Sequence, residues 1–189
     1  MDKYIEEETF KGINFMESPL QKATYEYCSF VNCIFSNCFL SNIVFLECTF
    51  TDCNFSMANL KNSSLRDITF KDCKLMGLRF DETDEFLFQV SFTGCNLKFS
   101  SFYQKKLSKT KFVHCNLEGT DFSEADLNQA VFEECDLNHA VFNATDLERV
   151  NFTSSHNIQI DPERNKLKNA RFSTEGALGL LAKYQIKIE

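Results

Sequence analysis

Residues 28–40 read CSFVNCIFSNCFL, and their large apolar side chains Phe30 and Phe35 stand five positions apart. The same step of five carries a Phe, Leu or Tyr without interruption from Phe10 to Phe80, and again from Leu87 to Phe152. An amphipathic helix repeats about every 3.6 residues and a half-buried strand about every two, so neither explains this step. A fixed internal repeat of this kind indicates a chain built from stacked structural units.

A second inward position precedes each of these large residues by two, and it is usually small. Early in the chain it is occupied by Ala23, Cys28, Cys33, Cys38, Ile43, Cys48 and Cys53. A spacing of two places both side chains on one face of a short strand. The other three positions of each unit are mostly polar, so we expect them to face solvent and to include the turn.

A longer period of 20 residues groups four units into one coil. One column of this alignment is Phe throughout, namely Phe10, Phe30, Phe50, Phe70, Phe92, Phe112, Phe132 and Phe152. The step of 22 residues from Phe70 to Phe92 places a two-residue insertion between Phe80 and Leu87. We therefore predict an all-β, four-walled solenoid whose coils stack in register about 4.8 Å apart and bury their core against neighbouring coils.

The five-residue units resemble those of pentapeptide repeat proteins. Residues 120–124, TDFSE, and residues 125–129, ADLNQ, follow that family's order of a small residue, Asp or Asn, Leu or Phe, a polar residue and a variable one. The resemblance covers about residues 8–172 and implies a right-handed quadrilateral β-helix. We expect this β-helix to occupy residues 1–172 and a short C-terminal helix-strand cap to occupy residues 173–189.

All nine cysteines stand two places before a large residue, and six of them share one column. This column is Cys33, Cys53, Cys73, Cys95, Cys115 and Cys135. Stacked side chains run parallel, whereas a metal needs ligands that converge on a point, and the chain has no Cys-x-x-Cys pair. We interpret the thiols as small hydrophobes that fill a narrow interior, and we predict neither a metal site nor a cofactor.

The insertion coincides with the acidic stretch DETDEF at residues 81–86. Glu85 and Lys105 fall at corresponding inward positions of successive coils, where the other coils carry uncharged residues. One interpretation is an ion pair at a bulge in the wall. The other is a displaced loop that contacts a partner, because rule-breaking positions in a regular scaffold tend to be functional. The site residues of this irregular segment are Asp81, Glu82, Asp84, Glu85 and Lys105.

Charge is segregated along the chain. Residues 98–111 contain five lysines and no acid, whereas residues 112–148 contain nine acids and no lysine or arginine. We predict a partner-binding acidic face made of Asp121, Glu124, Asp126, Glu133, Glu134, Asp136, Asp146 and Glu148. Asp126 and Asp146 are 20 residues apart, so they should lie one above the other. The alternative is structural, since an Asp just before the central Leu or Phe caps the turn.

The unbroken repeat ends after Phe152, and residues 173–184 read STEGALGLLAKY. Ser173 is a typical helix N-cap, and Ile186 and Ile188 alternate as in a short strand. This segment either caps the solenoid core or joins two chains end to end. It is similar to the dimerising terminus of the quinolone-resistance members of the family. That similarity implies a homodimer formed through Leu178, Leu181, Tyr184, Ile186 and Ile188.

Composition and motifs argue against several classes of function. The net charge of −7 argues against direct binding of nucleic acid, which needs Lys and Arg. No nucleophile–base pair or phosphate-binding glycine loop is apparent, so we expect no enzyme activity. No apolar run reaches the roughly 18 residues of a membrane span, and the acidic start MDKYIEEE is unlike a secretory signal. We therefore expect a cytoplasmic protein without a membrane partner.

The family resemblance supplies a functional hypothesis. Members of the quinolone-resistance and microcin-immunity type present an acidic rod that resembles duplex DNA and binds DNA gyrase or topoisomerase IV. For this chain the resemblance implies a dimeric acidic protein that modulates such an enzyme or protects it from poisons such as fluoroquinolones. The alternatives are an interaction scaffold for an unrelated partner and a structural spacer, because a fold does not determine function.

Overall fold

The computed structural model describes residues 3–187, and most of them wind into coils with four flat walls. Eleven short strands of the described residues lie on two of these walls. They are β1 (Tyr4–Glu6), β2 (Thr9–Lys11), β3 (Thr24–Glu26), β4 (Ser29–Val31), β5 (Val44–Leu46), β6 (Thr49–Thr51), β7 (Ser64–Arg66), β8 (Ile68–Lys71), β9 (Val90–Thr93), β10 (Lys111–Val113) and β11 (Val131–Glu133). Two 3-10 helices, Phe80–Glu82 and Gly179–Tyr184, and one α-helix, α1 (Thr174–Leu178), are also present.

The strands form two parallel sheets, each running from coil to coil. Wall 1 consists of β2, β4, β6, β8, β9, β10 and β11, and wall 4 begins with β1, β3, β5 and β7. The register pairs Phe10 with Phe30 and Phe30 with Phe50, which confirms the coil length of 20 residues. Phe70 pairs with Phe92, which confirms that the coil between them is two residues longer.

The other wall segments are ladders of single parallel bridges. Wall 2 runs from Asn14 to His156, and wall 3 runs from Phe39 to Val141. Wall 4 continues beyond its strands through the bridges that link Lys106 to Lys166. Each unit of five residues thus supplies one wall of one coil, as the repeat predicts.

The chain turns from wall to wall at a residue with left-handed backbone conformation. Its φ angle is positive in coil after coil, for example 52° at Asn32, 54° at Asp52 and 53° at His114. Asn, Asp and Gly adopt this conformation at low steric cost, which explains why they are frequent at this position. These residues form the corners of the tube.

The core contains two columns of phenylalanine rings. In the first column, on wall 1, rings from successive coils stack with centroids 4.7–5.5 Å apart from Phe10 to Phe172. The second column meets the first edge to face, as between Phe30 and Phe35 at 5.7 Å. Offset stacks and edge-to-face contacts are the favourable aromatic geometries. The interior is therefore filled by contacts between adjacent coils.

All nine cysteines are buried and free. Their thiols donate weak hydrogen bonds to backbone carbonyls, as from Cys53 Sγ to the Phe30 oxygen at 3.4 Å. Burial raises the pKa of the Cys48 thiol to about 12, so the thiol stays protonated and unreactive near neutral pH. The prediction that these side chains pack inside the tube is confirmed.

One step of the predicted repeat is wrong. The sequence pattern assigns Leu87 to the core, but its side chain is 64% exposed. The next residue, Phe88, is half-buried and packs against the core instead. The insertion therefore displaces a longer segment than two residues, because the chain leaves the wall after Asp84 and rejoins wall 1 at Val90.

Candidate functional site

The acids predicted to form one face lie on all four walls. Asp126, Asp146 and Glu148 belong to wall 4, whereas Asp136 belongs to wall 2 and Asp121 to wall 3. Glu133 lies at the end of β11 on wall 1, with Glu134 at its corner, and Glu124 lies at the corner after wall 3. The expectation of a single acidic face is therefore wrong. The residues 112–148 instead form a band around the tube, which we call the acidic collar.

Four aspartates of the collar also hold the backbone. Their Oδ1 atoms accept hydrogen bonds from the backbone N–H two residues later, at 2.8–3.1 Å. These are Asp121, Asp126, Asp136 and Asp146. Asn96 and Asn116 make the same bond on wall 2. The turn-capping function of these aspartates is confirmed. The second carboxylate oxygens of Asp126 and Asp146 make further contacts, with Ser108 Oγ and Lys166 Nζ.

Part of the collar is balanced by basic side chains. Lys98 pairs with Glu118 at 2.5 Å, and Lys166 pairs with Asp146 at 3.4 Å. A hydrogen bond from Asn157 lowers the pKa of Asp136 despite the opposing effect of burial. Asp126 and Asp146 are direct bridge partners on wall 4, so the predicted stacking of these two residues is confirmed. Like charges on adjacent coils raise the local negative field, and here Lys166 offsets part of it.

The irregular segment, which we call the bulge, covers residues 84–89. Thr83 takes the inward position of its coil and is 5% exposed, whereas Glu85 points to solvent. Phe86 and Leu87 are 61% and 64% exposed, and the Arg66 guanidinium lies 5.0 Å from the centre of the Phe86 ring. The bulge therefore presents two apolar side chains next to carboxylates.

The acids around the bulge are in different environments. Asp81 forms an ion pair with Arg79 at 2.6 Å, and Arg79 holds the pKa of Asp81 below its usual value although burial opposes the shift. Glu82 Oε1 lies 4.0 Å from Nη2 of the same guanidinium. Asp84 Oδ1 accepts a hydrogen bond from the backbone N–H of Phe86 at 3.1 Å, which shapes the start of the bulge.

Lys105 lies inside the tube and is only 2% exposed. Its Nζ donates a hydrogen bond to the Thr83 carbonyl oxygen at 2.8 Å and lies 4.7 Å from the centre of the Phe88 ring. Burial lowers the pKa of this lysine, while Glu85, Asp81 and Asp84 oppose the shift. The inward position predicted for Lys105 is confirmed. The predicted ion pair with Glu85 is wrong, because a carbonyl and an aromatic ring replace the carboxylate.

The C-terminal segment combines a cap with an exposed apolar surface. Ser173 Oγ accepts a hydrogen bond from the Gly176 N–H at 2.9 Å, so the predicted N-cap of α1 is confirmed. Leu180 packs against the core, whereas Leu178, Leu181, Tyr184 and Ile186 are 38–55% exposed. Ile188 lies outside the described residues. The predicted strand is not formed up to Lys187, since the chain ends its 3-10 helix at Tyr184.

Neither a metal site nor a membrane-crossing helix is found in the part of the chain that the structure describes. No group of three or more His, Cys, Asp or Glu residues between positions 3 and 187 is arranged to hold an ion. No helix in the same range is long and apolar enough to cross a membrane.

Comparison with known proteins places this architecture in a family. A profile of pentapeptide repeat regions matches residues 23–84, 45–113 and 85–172, which together cover most of the chain. The chain belongs to the pentapeptide repeat family. The β-solenoid of this family is typically a non-enzymatic scaffold. No curated protein matches the sequence at a significant level.

Solved structures with the same fold include two pentapeptide repeat proteins. HetL, from the cyanobacterium Nostoc and involved in heterocyst differentiation regulation, has a TM-score of 0.61 at 17% identity, covering 90% of this chain and 86% of HetL. A trypsin-treated form of QnrB1, a plasmid-mediated fluoroquinolone resistance protein, has a TM-score of 0.52 at 20% identity, covering 98% of this chain and 99% of QnrB1. At these identities the likeness concerns the fold alone.

This pentapeptide repeat protein also exposes apolar side chains that the sequence analysis missed. Phe39 is 83% exposed, and Met57 and Phe99 are 63% and 62% exposed. Their residue type could have revealed them in the sequence, since each of the three is a large apolar residue at an outward or corner position that is usually polar. Met57 lies over Gly77 and Phe99 over Gly119, so two of these side chains cover a glycine corner of the next coil.

Proposed function

We propose that this pentapeptide repeat protein is a non-enzymatic ligand of a type II topoisomerase, DNA gyrase or topoisomerase IV. The acidic collar would occupy a basic surface that otherwise holds DNA phosphates, and it would modulate the enzyme or protect it from poisons such as fluoroquinolones. The observation that carries the proposal is the distribution of the collar acids over all four walls. Duplex DNA likewise presents its phosphates around its whole circumference.

The likeness to QnrB1, a plasmid-mediated fluoroquinolone resistance protein, is compatible with this function. HetL has the same fold and is described as acting in the regulation of heterocyst differentiation. The shared fold therefore does not identify the binding partner. The proposal depends instead on the acidic collar. Because the contact would be electrostatic, the affinity should fall steeply as ionic strength rises.

The test is a gyrase supercoiling and cleavage assay titrated with the protein, with and without a fluoroquinolone. The key variant changes Asp121, Asp126, Asp136 and Asp146 together to Asn. It removes four charges but keeps the turn-capping oxygen, as Asn96 and Asn116 do naturally. We expect the fold to persist and the effect on gyrase to fall by at least about tenfold in potency.

A matched control removes the same number of charges from the other half of the tube. It combines Glu47→Gln with Asp52→Asn, Asp67→Asn and Asp72→Asn, all at corner positions. This control should keep the potency of the wild type within about threefold, since only long-range charge is lost. Wild-type protein that leaves gyrase unaffected, or equal losses in both variants, would refute the collar as the binding surface.

We further propose that two chains associate through the exposed apolar surface of Leu178, Leu181, Tyr184 and Ile186. At about 4.8 Å per coil, the eight steps from Phe10 to Phe172 span roughly 38 Å, so an end-to-end dimer would double the rod. Light scattering at micromolar concentration should give twice the mass of one chain. Leu181→Glu should give a monomer, whereas Met16→Glu, at an exposed position near the other end, should leave the dimer intact.

An interaction scaffold with an unrelated partner is the second candidate. It is favoured by the bulge, which breaks a regular wall to expose Phe86 and Leu87. In that case Phe86→Ser with Leu87→Ser would abolish partner capture, and the four Asp→Asn changes would not affect it.

A further inference from the structure

A cleft of about 440 Å³ lies at the corner between walls 4 and 1, where the bulge rejoins the wall. One side is formed by residues 88–91, and the other by Lys106 and residues 108–111 of the following coil. The chain turns this corner at Lys109, whose φ angle is 63°. Lys106 therefore approaches the cleft from wall 4 and Lys111 approaches it from wall 1.

These three lysines carry uncompensated charge. None of them forms an ion pair with any carboxylate of residues 3–187, and all three side chains are exposed. The carboxylates nearest along the ladders have other partners. Asp126, the wall 4 neighbour of Lys106, accepts a hydrogen bond from Ser108 Oγ at 2.7 Å. Asp67 accepts one from Gln89 Nε2 at 3.3 Å.

Three ammonium groups brought to one corner repel each other, and an anion between them would relieve that repulsion. In a protein of net charge −7, such a cluster attracts anions only at short range, within about a Debye length of 8 Å. The cleft volume falls within the range of small-molecule sites, and lysine binds phosphate as a point charge.

We propose that this cleft binds a small phosphate-bearing anion through Lys106, Lys109 and Lys111. On the opposite side Gln89 can supply a neutral donor through the second hydrogen of Nε2, since the first is donated to Asp67. The half-buried ring of Phe88 borders the site. The ligand is either a free polyphosphate such as pyrophosphate or the phosphates of a nucleotide. None of the acids of the collar lines this cleft, although Asp126 adjoins its edge through the hydrogen bond from Ser108. The anion binding does not depend on the proposed contact with topoisomerase.

The direct test is calorimetric titration of the full chain with pyrophosphate and, separately, with ADP at low ionic strength. The cleft variant combines Lys106→Gln, Lys109→Gln and Lys111→Gln. The control combines Lys61→Gln, Lys74→Gln and Lys168→Gln, which changes the net charge equally at scattered positions. We expect the cleft variant to bind at least about tenfold more weakly and the control to stay within about threefold of the wild type.

The ADP titration identifies the source of the phosphate. Tighter binding of ADP than of pyrophosphate would indicate a nucleotide, and equal binding would indicate recognition of the phosphates alone. Equal weakening in the two variants, or no saturable binding to the wild type up to about 5 mM of either probe, would overturn the proposal.

A second measurement needs no variant. Pyrophosphate should protect Lys106, Lys109 and Lys111 of the wild-type chain from acylation, as read by mass spectrometry, while Lys61 reacts as before. Equal reaction of all four lysines with and without pyrophosphate would also overturn the proposal.

Discussion

The two halves of the tube, residues 9–83 and residues 90–172, bury their second column of rings on different walls. In the first half these rings are Phe15, Phe35 and Phe55 on wall 2, stacked 4.3–4.6 Å apart. In the second half they are Phe102, Phe122 and Phe142 on wall 3, stacked 5.3 Å apart. The first column on wall 1 is common to both halves. The edge-to-face partner of a wall 1 ring can thus come from an adjacent wall, as in the first half, or from the opposite wall, as in the second.

The exchange takes place in the coil that carries the bulge. Phe80 is the first buried ring on wall 3, and it stacks on Phe102 at 4.5 Å. Its counterpart on wall 2 in the same coil is Leu75, which is fully buried. One Phe and one Leu change places between walls 2 and 3, so this exchange by itself leaves the volume of the coil nearly constant. Volume-conserving exchanges of this kind are well tolerated in cores.

The outer surfaces of the two halves differ more than their cores. The second half carries the acidic collar beside the exposed Phe99, whereas the first half exposes Phe39, Met16 and Met57. Outward side chains touch mostly solvent and their coil neighbours, so the tube imposes little on their chemistry. The residue types in the core and those on the surface therefore vary independently of each other along this tube.

The largest expected effect concerns the shared column of rings. Phe50→Ala in the first half and Phe112→Ala in the second should each lower the unfolding free energy by about 3–5 kcal/mol, because each ring lies between two stacked neighbours. Urea unfolding measures both, and Phe39→Ala, at an exposed ring, should change stability by less than about 0.5 kcal/mol. Losses that differ by more than about 2 kcal/mol between the halves would contradict a single continuous core.

A smaller effect is expected at the glycine corners. Gly12 and Gly119 have φ angles of 66° and 64°, but a methyl at Gly119 would lie 2.6 Å from the Phe99 ring, whereas one at Gly12 meets nothing within 4 Å. Gly119→Ala should therefore cost about 1–3 kcal/mol more than Gly12→Ala. The difference should vanish when Phe99→Ala is added. A difference that survives this double substitution would mean that the contact with Phe99 is not its cause, since backbone strain is nearly equal at the two glycines.

The smallest expected effect is the pH dependence of the unfolding free energy that Lys105 causes beside the bulge. Because burial lowers the pKa of Lys105 in the folded protein, the unfolded chain binds more protons between the folded and unfolded pKa values. The unfolding free energy of the wild type should therefore rise with pH through this interval relative to Lys105→Met. Urea unfolding at about pH 7 and about pH 9.5 measures the change, with Lys61→Met as an exposed control. Parallel pH profiles for the wild type and Lys105→Met would contradict a lysine that is buried in solution.

Much of the fold could be predicted because the inward positions repeat locally. Phe30, Phe50 and Cys53 are buried where the step of five and its companion two residues earlier place them. The helix start at Ser173 was also predictable, because the N-cap depends on its immediate neighbours. The C-terminal strand was not, since Lys183 is bound by Asp161 and Glu163 at 2.7 Å from a distant turn.

The candidate sites were harder to predict. A linear count of acids finds the collar but not its distribution over four walls, which depends on the turn at every corner. The exchange of Leu87 for Phe88 and the contact of Lys105 with the Thr83 carbonyl depend on how an insertion is absorbed. The neighbouring coils determine how the inserted residues are accommodated, and a single five-residue unit contains no information about those coils.

The sequence by itself determined the tube, the length of its coils and the residues that fill it, because a period of five allows one inward pattern. Only the tertiary structure decided which wall each charge occupies, where the bulge leaves the tube, and that three lysines meet at a single corner. The physical reason is range. Which residues are buried follows from their position in a five-residue unit, and this pattern recurs along the chain. Surface sites instead combine residues of neighbouring coils, which are 20 residues apart in the sequence.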